Sequence, residues 1–341
     1  MRRVPEQPPR TLHRAASGLG RLRDRVTRTG SAARSEPAGG PGHSDLDRWL
    51  VPLFGAGLTE LEDSIKGKGA EAYREFRPLD DDLWALLLTL EYESFPGIRA
   101  FLPGLPDPAT QQMWNGASGP GLAAQSVCFY RKLKEVQGRF GDRELASSKV
   151  LDVGCGWGRM TRMLARDVDP GNLFGCDPVE EILESCRKNR VPATFARSDF
   201  LPETLPFEEK FDLVFAFSVL THISETAARA LAGAISRSLE PGGLFVFTIR
   251  PPAYLDLVPA MAAPLEATGV HREDLGTEPA FVFLPHPDED HPQYDGGEMS
   301  YGETMINLPW IRQNWNEEFE LKDVAVMTAD IYQVVVTLEK R

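Results

Sequence analysis

Three aspartates, one ahead of a cluster of glycines and two at the ends of the next two strand runs, carry with those glycines most of the chemistry in this sequence. Asp152-Val153-Gly154-Cys155-Gly156-Trp157-Gly158 follows Val150-Leu151 and leads into Arg159-Met160-Thr161. The glycines therefore fall between a strand pattern and a helix pattern, where backbone can approach a ligand at a helix N-terminus. Alone, a G-x-G-x-G string is weak, because dinucleotide-binding folds use the related G-x-G-x-x-G. Its surroundings add weight: Asp177 ends the next apolar run, and Asp199-Phe200 ends the third. That puts three carboxylates and one aromatic at the carboxyl edge of one sheet, where open α/β sheets take ligands. Bland uses remain open, since Asp177 with Pro178 can cap the helix starting near Val179, and Asp199 is a common turn residue.

Two further groups can do chemistry. His222 follows the fourth apolar run at the expected cleft edge, and a neutral imidazole accepts a hydroxyl proton near pH 7. The same residue could instead orient its loop or cap the next helix. The run His286-Pro287-Asp288-Glu289-Asp290-His291 has cation-ligating side chains, but short acidic runs are usually solvated loops, so no metal is assigned to it. Cys128, Cys155, Cys176 and Cys186 have neither C-x-x-C nor zinc spacing and are read as reduced thiols.

These residues need a scaffold. From Val150 onward strand and helix signals alternate: Val150 to Val153, a helix from Arg159, Leu173 to Cys176, a helix from Val179, Ala193 to Ala196, Asp212 to Phe217, a helix from Glu225, then Leu244 to Ile249. Such alternation implies a parallel sheet with helices on both faces. The runs 321–326 and 333–338 have no room between them for a crossover helix and should pair antiparallel. Ahead of the sheet, apolar residues at helical spacing predict a helix from Ser44, its N-cap, another behind Asp80-Asp81-Asp82, and a third over about Gly121 to Phe140. They form a helical cap. The expected division is a tail at 1–44, a helical cap at 45–144, and an α/β domain at 145–341 whose insert, 251–297, is long enough to cover a pocket. Tyr294, Tyr301, Trp310 and Trp315 could stack on a ring there, or be core.

Composition narrows the partners. The chain has 341 residues, 42% of them hydrophobic, enough for a sizeable core, and a net charge of -13. Met1 to Glu36 holds nine Arg against three acidic residues, which leaves -19 on the remainder. So acidic a body excludes a broad phosphate-binding surface and general nucleic-acid binding. The first 44 residues read as a flexible basic tail, with weak helical spacing from Leu12 to Val26 that allows peripheral contact with an acidic membrane. No apolar run reaches transmembrane length and no signal-peptide core is present, so the expected compartment is cytoplasmic.

The glycine loop, Phe174-Gly175-Cys176-Asp177, Ser198-Asp199-Phe200, Phe211-Asp212-Leu213-Val214 and Leu239-Glu240-Pro241-Gly242-Gly243, in this order, resemble the class I S-adenosylmethionine-dependent methyltransferases over about 150–341. Phe217-Ser218-Val219-Leu220-Thr221-His222-Ile223 and Tyr301-Gly302-Glu303-Thr304 are similar to a bacterial branch with a helical region before the glycine loop. The resemblance implies a Rossmann-like, doubly wound, seven-stranded, mostly parallel sheet with an antiparallel C-terminal hairpin and an N-terminal helical cap. It implies S-adenosylmethionine as cofactor and methyl transfer to a small-molecule or glycan-type acceptor, with O-methylation the leading expectation. Asp177 would accept from the ribose hydroxyls and Asp199 from the adenine amino group, with Phe200 against the ring. Gly154, Gly156 and Gly158 would make room for the methionine portion. Asp152 would hold the loop or receive the ammonium, and Arg159 would face the carboxylate. Cys155, Pro178 and Ser218 complete the expected contacts, with His222 as candidate base. Two other readings compete: a nicotinamide-dependent oxidoreductase, disfavoured by the short glycine pattern, and a non-enzymatic scaffold, disfavoured by the intact loop and carboxylates.

Overall fold

The computed structural model describes residues 43–286 and 301–341. All but the last two residues of the basic tail lie outside them, as do Pro287 to His291 and Tyr294. Among the described residues no helix is long and apolar enough to cross a membrane.

The helical layer comprises α1 (His43–Ile65), a 3-10 turn (Ala70–Phe76), α2 (Asp81–Thr89), α3 (Pro96–Phe101), α4 (Pro108–Asn115) and α5 (Gly119–Phe140). Helix α1 already includes Ser44, the residue expected as its cap, and α5 starts two residues earlier than its apolar spacing suggests. At α2 the cap is Asp80, whose carboxylate accepts the N–H groups of Asp82 and Leu83 at 2.8 and 3.3 Å. This layer shares a core with the sheet that follows: Leu50, Trp84, Phe129 and Leu133 pack in one apolar cluster with Met160, Phe215 and Leu244. Polar ties reinforce the seam. The buried Trp84 indole donates to the Met163 carbonyl at 2.9 Å, and the buried Arg166 guanidinium reaches Asp81.

The α/β part runs β1 (Val150–Val153), α6 (Arg159–Leu164), β2 (Leu173–Asp177), α7 (Glu180–Lys188), β3 (Thr194–Arg197), β4 (Phe211–Ala216), α8 (Glu225–Ser238) and β5 (Leu239–Ile249). After it come α9 (Ala262–Ala267), β6 (Phe281–Pro285), β7 (Gly302–Ile306), α10 (Leu308–Trp315), β8 (Phe319–Val326) and β9 (Val334–Lys340). The seven-stranded sheet has the order β3-β2-β1-β4-β5-β9-β8, with β9 antiparallel to both neighbours and every other pair parallel. The doubly wound, mostly parallel architecture and its antiparallel closing hairpin are as expected. Strand order reverses between β1 and β4, which makes that crevice the switch point.

The insert and the residues just after it contain structure that their sequence did not announce. Strands β6 and β7 form a separate antiparallel hairpin, in register from Phe281 opposite Ile306 to Pro285 opposite Gly302. A small apolar cluster including Tyr254, Met261, Leu265, Val282 and Met305 supports it. Trp310 and Trp315, which could have been ring platforms, are buried in the core with Phe247 and Phe281.

Candidate functional site

Strand β1 is buried along its whole length between β2 and β4, so the chain must turn at Gly154 directly onto the carboxyl edge of the sheet. Gly154, Gly156 and Gly158 have φ of +67°, +52° and +77°, a region that residues with a Cβ enter only under strain. At Gly154 a Cβ would come within 2.5 Å of Val219 Cγ2, and at Gly158 within 3.0 Å of Val191 Cγ1. At Gly156 its nearest neighbour would be Trp114 Cε3 at 4.0 Å, an ordinary contact distance. Two glycines thus pack the loop tightly, and the third lies in ordinary contact with Trp114, its carbonyl accepting the Cys186 thiol at 3.1 Å.

Asp177 ends β2 and grips that loop. Its Oδ2 accepts the Gly156 N–H and its Oδ1 the Val179 N–H, both at 3.0 Å, so it caps the approach to α7 and fastens the turn at once. Burial pushes its carboxyl up to about 6, against the lowering effect of those two N–H donors. Asp152 lies deeper, opposite Gly175 in register, and its Oδ2 accepts the Thr161 hydroxyl at 2.6 Å. Burial drives this carboxyl up to about 7, with Thr161 and Arg159 opposing and Asp177 adding to the rise. Asp152 therefore ties β1 to the first turns of α6. The third carboxylate, Asp199, is exposed just beyond β3; the N–H of the adjoining Ser198 donates to the Asp177 carbonyl at 3.2 Å. All three acids stand toward one edge of one sheet.

Other expected residues fall around this edge. The Cys155 thiol is buried and pushed well up by that burial, and its backbone N–H donates to the Cys176 carbonyl at 3.1 Å. Pro178 follows Asp177 and its carbonyl accepts from Arg197 at 3.2 Å. Phe200 is half-buried beside Asp199. Arg159 is buried at the start of α6, its guanidinium 4.5 Å above the Phe217 ring and bonded to Gln125 Oε1 at 2.8 Å. Gln125 in turn donates to Asp330, which also receives the Gln333 amide.

Across the switch point, Ser218 follows β4 with φ +63°, an unusual angle for a residue that is not glycine. Its N–H donates to Thr248 Oγ1 at 2.8 Å, and Thr248 donates to Gln333 at 2.6 Å. This sets Val219 against Gly154. His222 is buried one turn later, and both ring nitrogens are engaged: Nδ1 lies 3.0 Å from the Gly302 carbonyl and Nε2 lies 3.0 Å from Arg250 Nη2. Arginine has no acceptor, so Nε2 must accept and Nδ1 must carry the proton. The proton-accepting role expected of His222 requires Nε2 to leave Arg250. As placed, the imidazole orients the loop after β4, stacked at 10° on Tyr301.

Behind His222 lies a buried polar cluster that brings His286 and Glu303, named above in separate motifs, together with Arg250 and Tyr254. Arg250, the residue after β5, pairs with Glu303 of β7. Glu303 also accepts the Tyr254 hydroxyl at 2.7 Å, and His286 lies 3.5 Å away. Burial acts to raise the Glu303 carboxyl, but His286, Arg250 and His222 together outweigh it and hold it at about 2. Its signals in sequence were an arginine directly after the strand run Leu244 to Ile249, and His286 and Glu303 in two separate motifs. Trp114, Gln125 and Gln333 gave none, because their roles arise from distant elements meeting.

The segment 150–243 matches the family model described as a methyltransferase domain. A mitochondrial ubiquinone biosynthesis O-methyltransferase of Candida albicans is 32% identical over 114 residues, 31% of this chain and 33% of that protein. A trans-aconitate 2-methyltransferase of Acidovorax sp. is 32% identical over 114 residues, 33% of this chain and 41% of that protein. The alignments span 33% to 59% of the length of these and similar curated relatives. A solved S-adenosylmethionine-dependent methyltransferase of Clostridium acetobutylicum is similar at 16% identity and a TM-score of 0.43, over 67% of this chain and 95% of that one.

Proposed function

We propose that this chain, whose residues 150–243 form a methyltransferase domain, is an S-adenosylmethionine-dependent methyltransferase acting on a small-molecule hydroxyl. The observation that carries the reading is the bond from Gly156 N–H to Asp177 within a loop of three glycines at positive φ. The residues present suit the cofactor. Each Asp177 oxygen has one lone pair left for a ribose hydroxyl after its backbone bond, and Asp199 offers an exposed acceptor for the adenine amino group, with Phe200 alongside. Gly156 admits the methionine portion. Arg159 lies within a residue of the loop to meet its carboxylate, and Asp152 serves by holding the turn through Thr161.

S-adenosylmethionine supplies a methyl already activated on a sulfonium, so the protein's task is alignment and removal of one proton. Ser218, Val219 and His222 on the loop after β4, with Arg250 at the end of β5, border the acceptor side of the switch point. The insert from Pro251 and the β6–β7 hairpin wall that side, because Gly302 N–H and Thr304 N–H bond back to His222 and Thr221 carbonyls at 2.7 and 3.0 Å. The named activities of the curated relatives, one an O-methyltransferase of ubiquinone biosynthesis and one a trans-aconitate methyltransferase, support a small acceptor. A glycan-type acceptor is the finer alternative, resting on the resemblance alone. Calorimetric titration with S-adenosylhomocysteine tests the proposal: the intact chain binds it, and Asp177→Ala weakens it by tenfold or more. No binding, or unchanged binding in the variant, refutes it.

A further inference from the structure

Apart from glycines, only Arg190 and Ser218 have positive φ among the described residues, and of the two only Ser218 stands at the switch point. At φ +63° its Cβ crowds the backbone, a strain that persists only where the surroundings over-determine it. Two bonds do so here. The Ser218 N–H donates to Thr248 Oγ1 at 2.8 Å, and the Ser218 hydroxyl accepts the Gln333 amide at 3.3 Å. Gln333 also accepts the Thr248 hydroxyl at 2.6 Å, which closes the three residues into one ring of bonds. Thr248 is fully buried and Gln333 nearly so.

The Gln333 amide has one workable orientation. Its Nε2 lies 3.2 Å from Asp330 Oδ2, and a flipped amide would set oxygen against that carboxylate. Asp330 Oδ2 receives Gln125 Nε2 at 2.9 Å as well, and Gln125 accepts from Arg159 at the start of α6. Gln333, the residue before β9, therefore links β5 and the loop after β4 to the cap helix α5 and to α6.

What the strained residue places is its neighbour. Val219 Cγ2 lies 2.5 Å from where a Gly154 Cβ would stand, so the loop after β4 meets the turn after β1 at a point with no side chain to spare. Those two loops border the crevice where strand order reverses, the place at which open α/β sheets bind ligands. Relaxation of Ser218 to negative φ would take Val219 away from Gly154 and reshape that crevice with the glycine turn itself untouched.

We infer that Gln333 is a positioning residue for the methyl donor: with Thr248 it holds Ser218 in its strained conformation and so keeps the crevice in the form that binds. The inference rests on the cofactor reading above and extends it, and it requires no particular pose of the ligand. With the ring of bonds in place the strain is met during folding. Without Gln333 the loop is mostly relaxed, and the ligand binds only the fraction that is not. A glycine at 218 takes positive φ without strain and restores that fraction.

Titration of S-adenosylhomocysteine into wild type, Gln333→Met, and Gln333→Met combined with Ser218→Gly is the test. Methionine keeps the length of glutamine and removes its bonds. Gln333→Met weakens the ligand by about tenfold, near the low end of what one strained residue is worth. Adding Ser218→Gly brings affinity back to within about threefold of wild type. Thr248→Val, close in shape to threonine, shows the same loss and the same recovery, and it carries the test where thermal unfolding shows Gln333→Met to be unfolded. A glutamine that merely supports the fold predicts the opposite, since a glycine added to a weakened loop deepens the loss. Unchanged binding in the single variants, or a loss that Ser218→Gly leaves standing, overturns the inference and leaves the cofactor reading intact. Wild type that binds no ligand removes the cofactor reading and this inference with it.

Discussion

Replacing Glu303 by Gln keeps the side chain's shape and removes its charge from a cluster that contains the buried guanidinium of Arg250. The folded carboxyl is held at about 2 against an ordinary 4.5. That difference corresponds to about 3 kcal/mol of stabilisation at neutral pH. A similar figure, about 3–5 kcal/mol, is typical when one partner of a buried ion pair is removed and the other is stranded. For a chain of this length 3 kcal/mol lowers Tm by about 4 °C. Because the folded carboxyl is more acidic than the unfolded one, the stabilisation is complete above about pH 4.5 and is lost as pH falls toward 2. By pH 3 the gap between wild type and Glu303→Gln is therefore less than roughly half its neutral value. Differential scanning fluorimetry of both proteins from pH 3 to 7 measures it. Adding Arg250→Met to Glu303→Gln recovers most of the loss, since no charge is then stranded. A Tm change below about 1 °C at pH 7, or a double variant less stable than the single one, refutes the reasoning.

Two more outcomes follow from the carboxylates at the β1 and β2 edge. Thr161→Val removes the hydroxyl that satisfies buried Asp152 and costs about 1–3 kcal/mol, read as a fall in Tm; an unchanged Tm would show that Asp152 does not hold the turn. The Asp177 carboxyl is raised to about 6, so the acceptor form needed for ribose is depleted below that pH: affinity for S-adenosylhomocysteine is flat above about pH 7 and falls by up to about tenfold per unit below 6. The same sign makes ligand-free stability decline as pH rises from about 4 through 6, because the folded state binds that proton more tightly than the unfolded chain. Titrations at pH 5, 6, 7 and 8 with wild type and Asp177→Asn check this, the variant showing no such break.

Local signals carried the scaffold. Strand β1, the glycine turn and α6 follow from an apolar run, three residues able to take positive φ, and a helical pattern, all within fifteen positions. The alternation after Lys149 and the short link before β9 were enough for a parallel sheet closed by an antiparallel strand, because crossover geometry leaves few alternatives. Asp177 ends β2, Asp152 lies one residue before the end of β1 and Asp199 two residues beyond β3, so their nearness to one carboxyl edge was also legible. The β6–β7 hairpin was not: Phe281 to Pro285 lacks the alternation of a half-buried strand, since its pairing with fully buried β7, beyond the insert, and the small core beneath it arise only from tertiary packing.

What the sequence determined by itself is the set of residues whose roles depend on neighbours along the chain: the glycines of the turn, the aspartates near the strand ends, and the acidic start of α2. Tertiary structure alone decided that Trp114 faces Gly156, that Gln125 meets Arg159, and that Arg250 and Glu303 neutralise each other behind His222. The physical reason is one of range. Backbone conformation and amphipathic period are written in adjacent residues, whereas an ion pair or an aromatic wall depends on two side chains 42 or 53 positions apart, as are Trp114 and Gly156, Arg250 and Glu303. Nothing in either local stretch encodes its partner, and the pairing exists only once the packed core has fixed the distance between them.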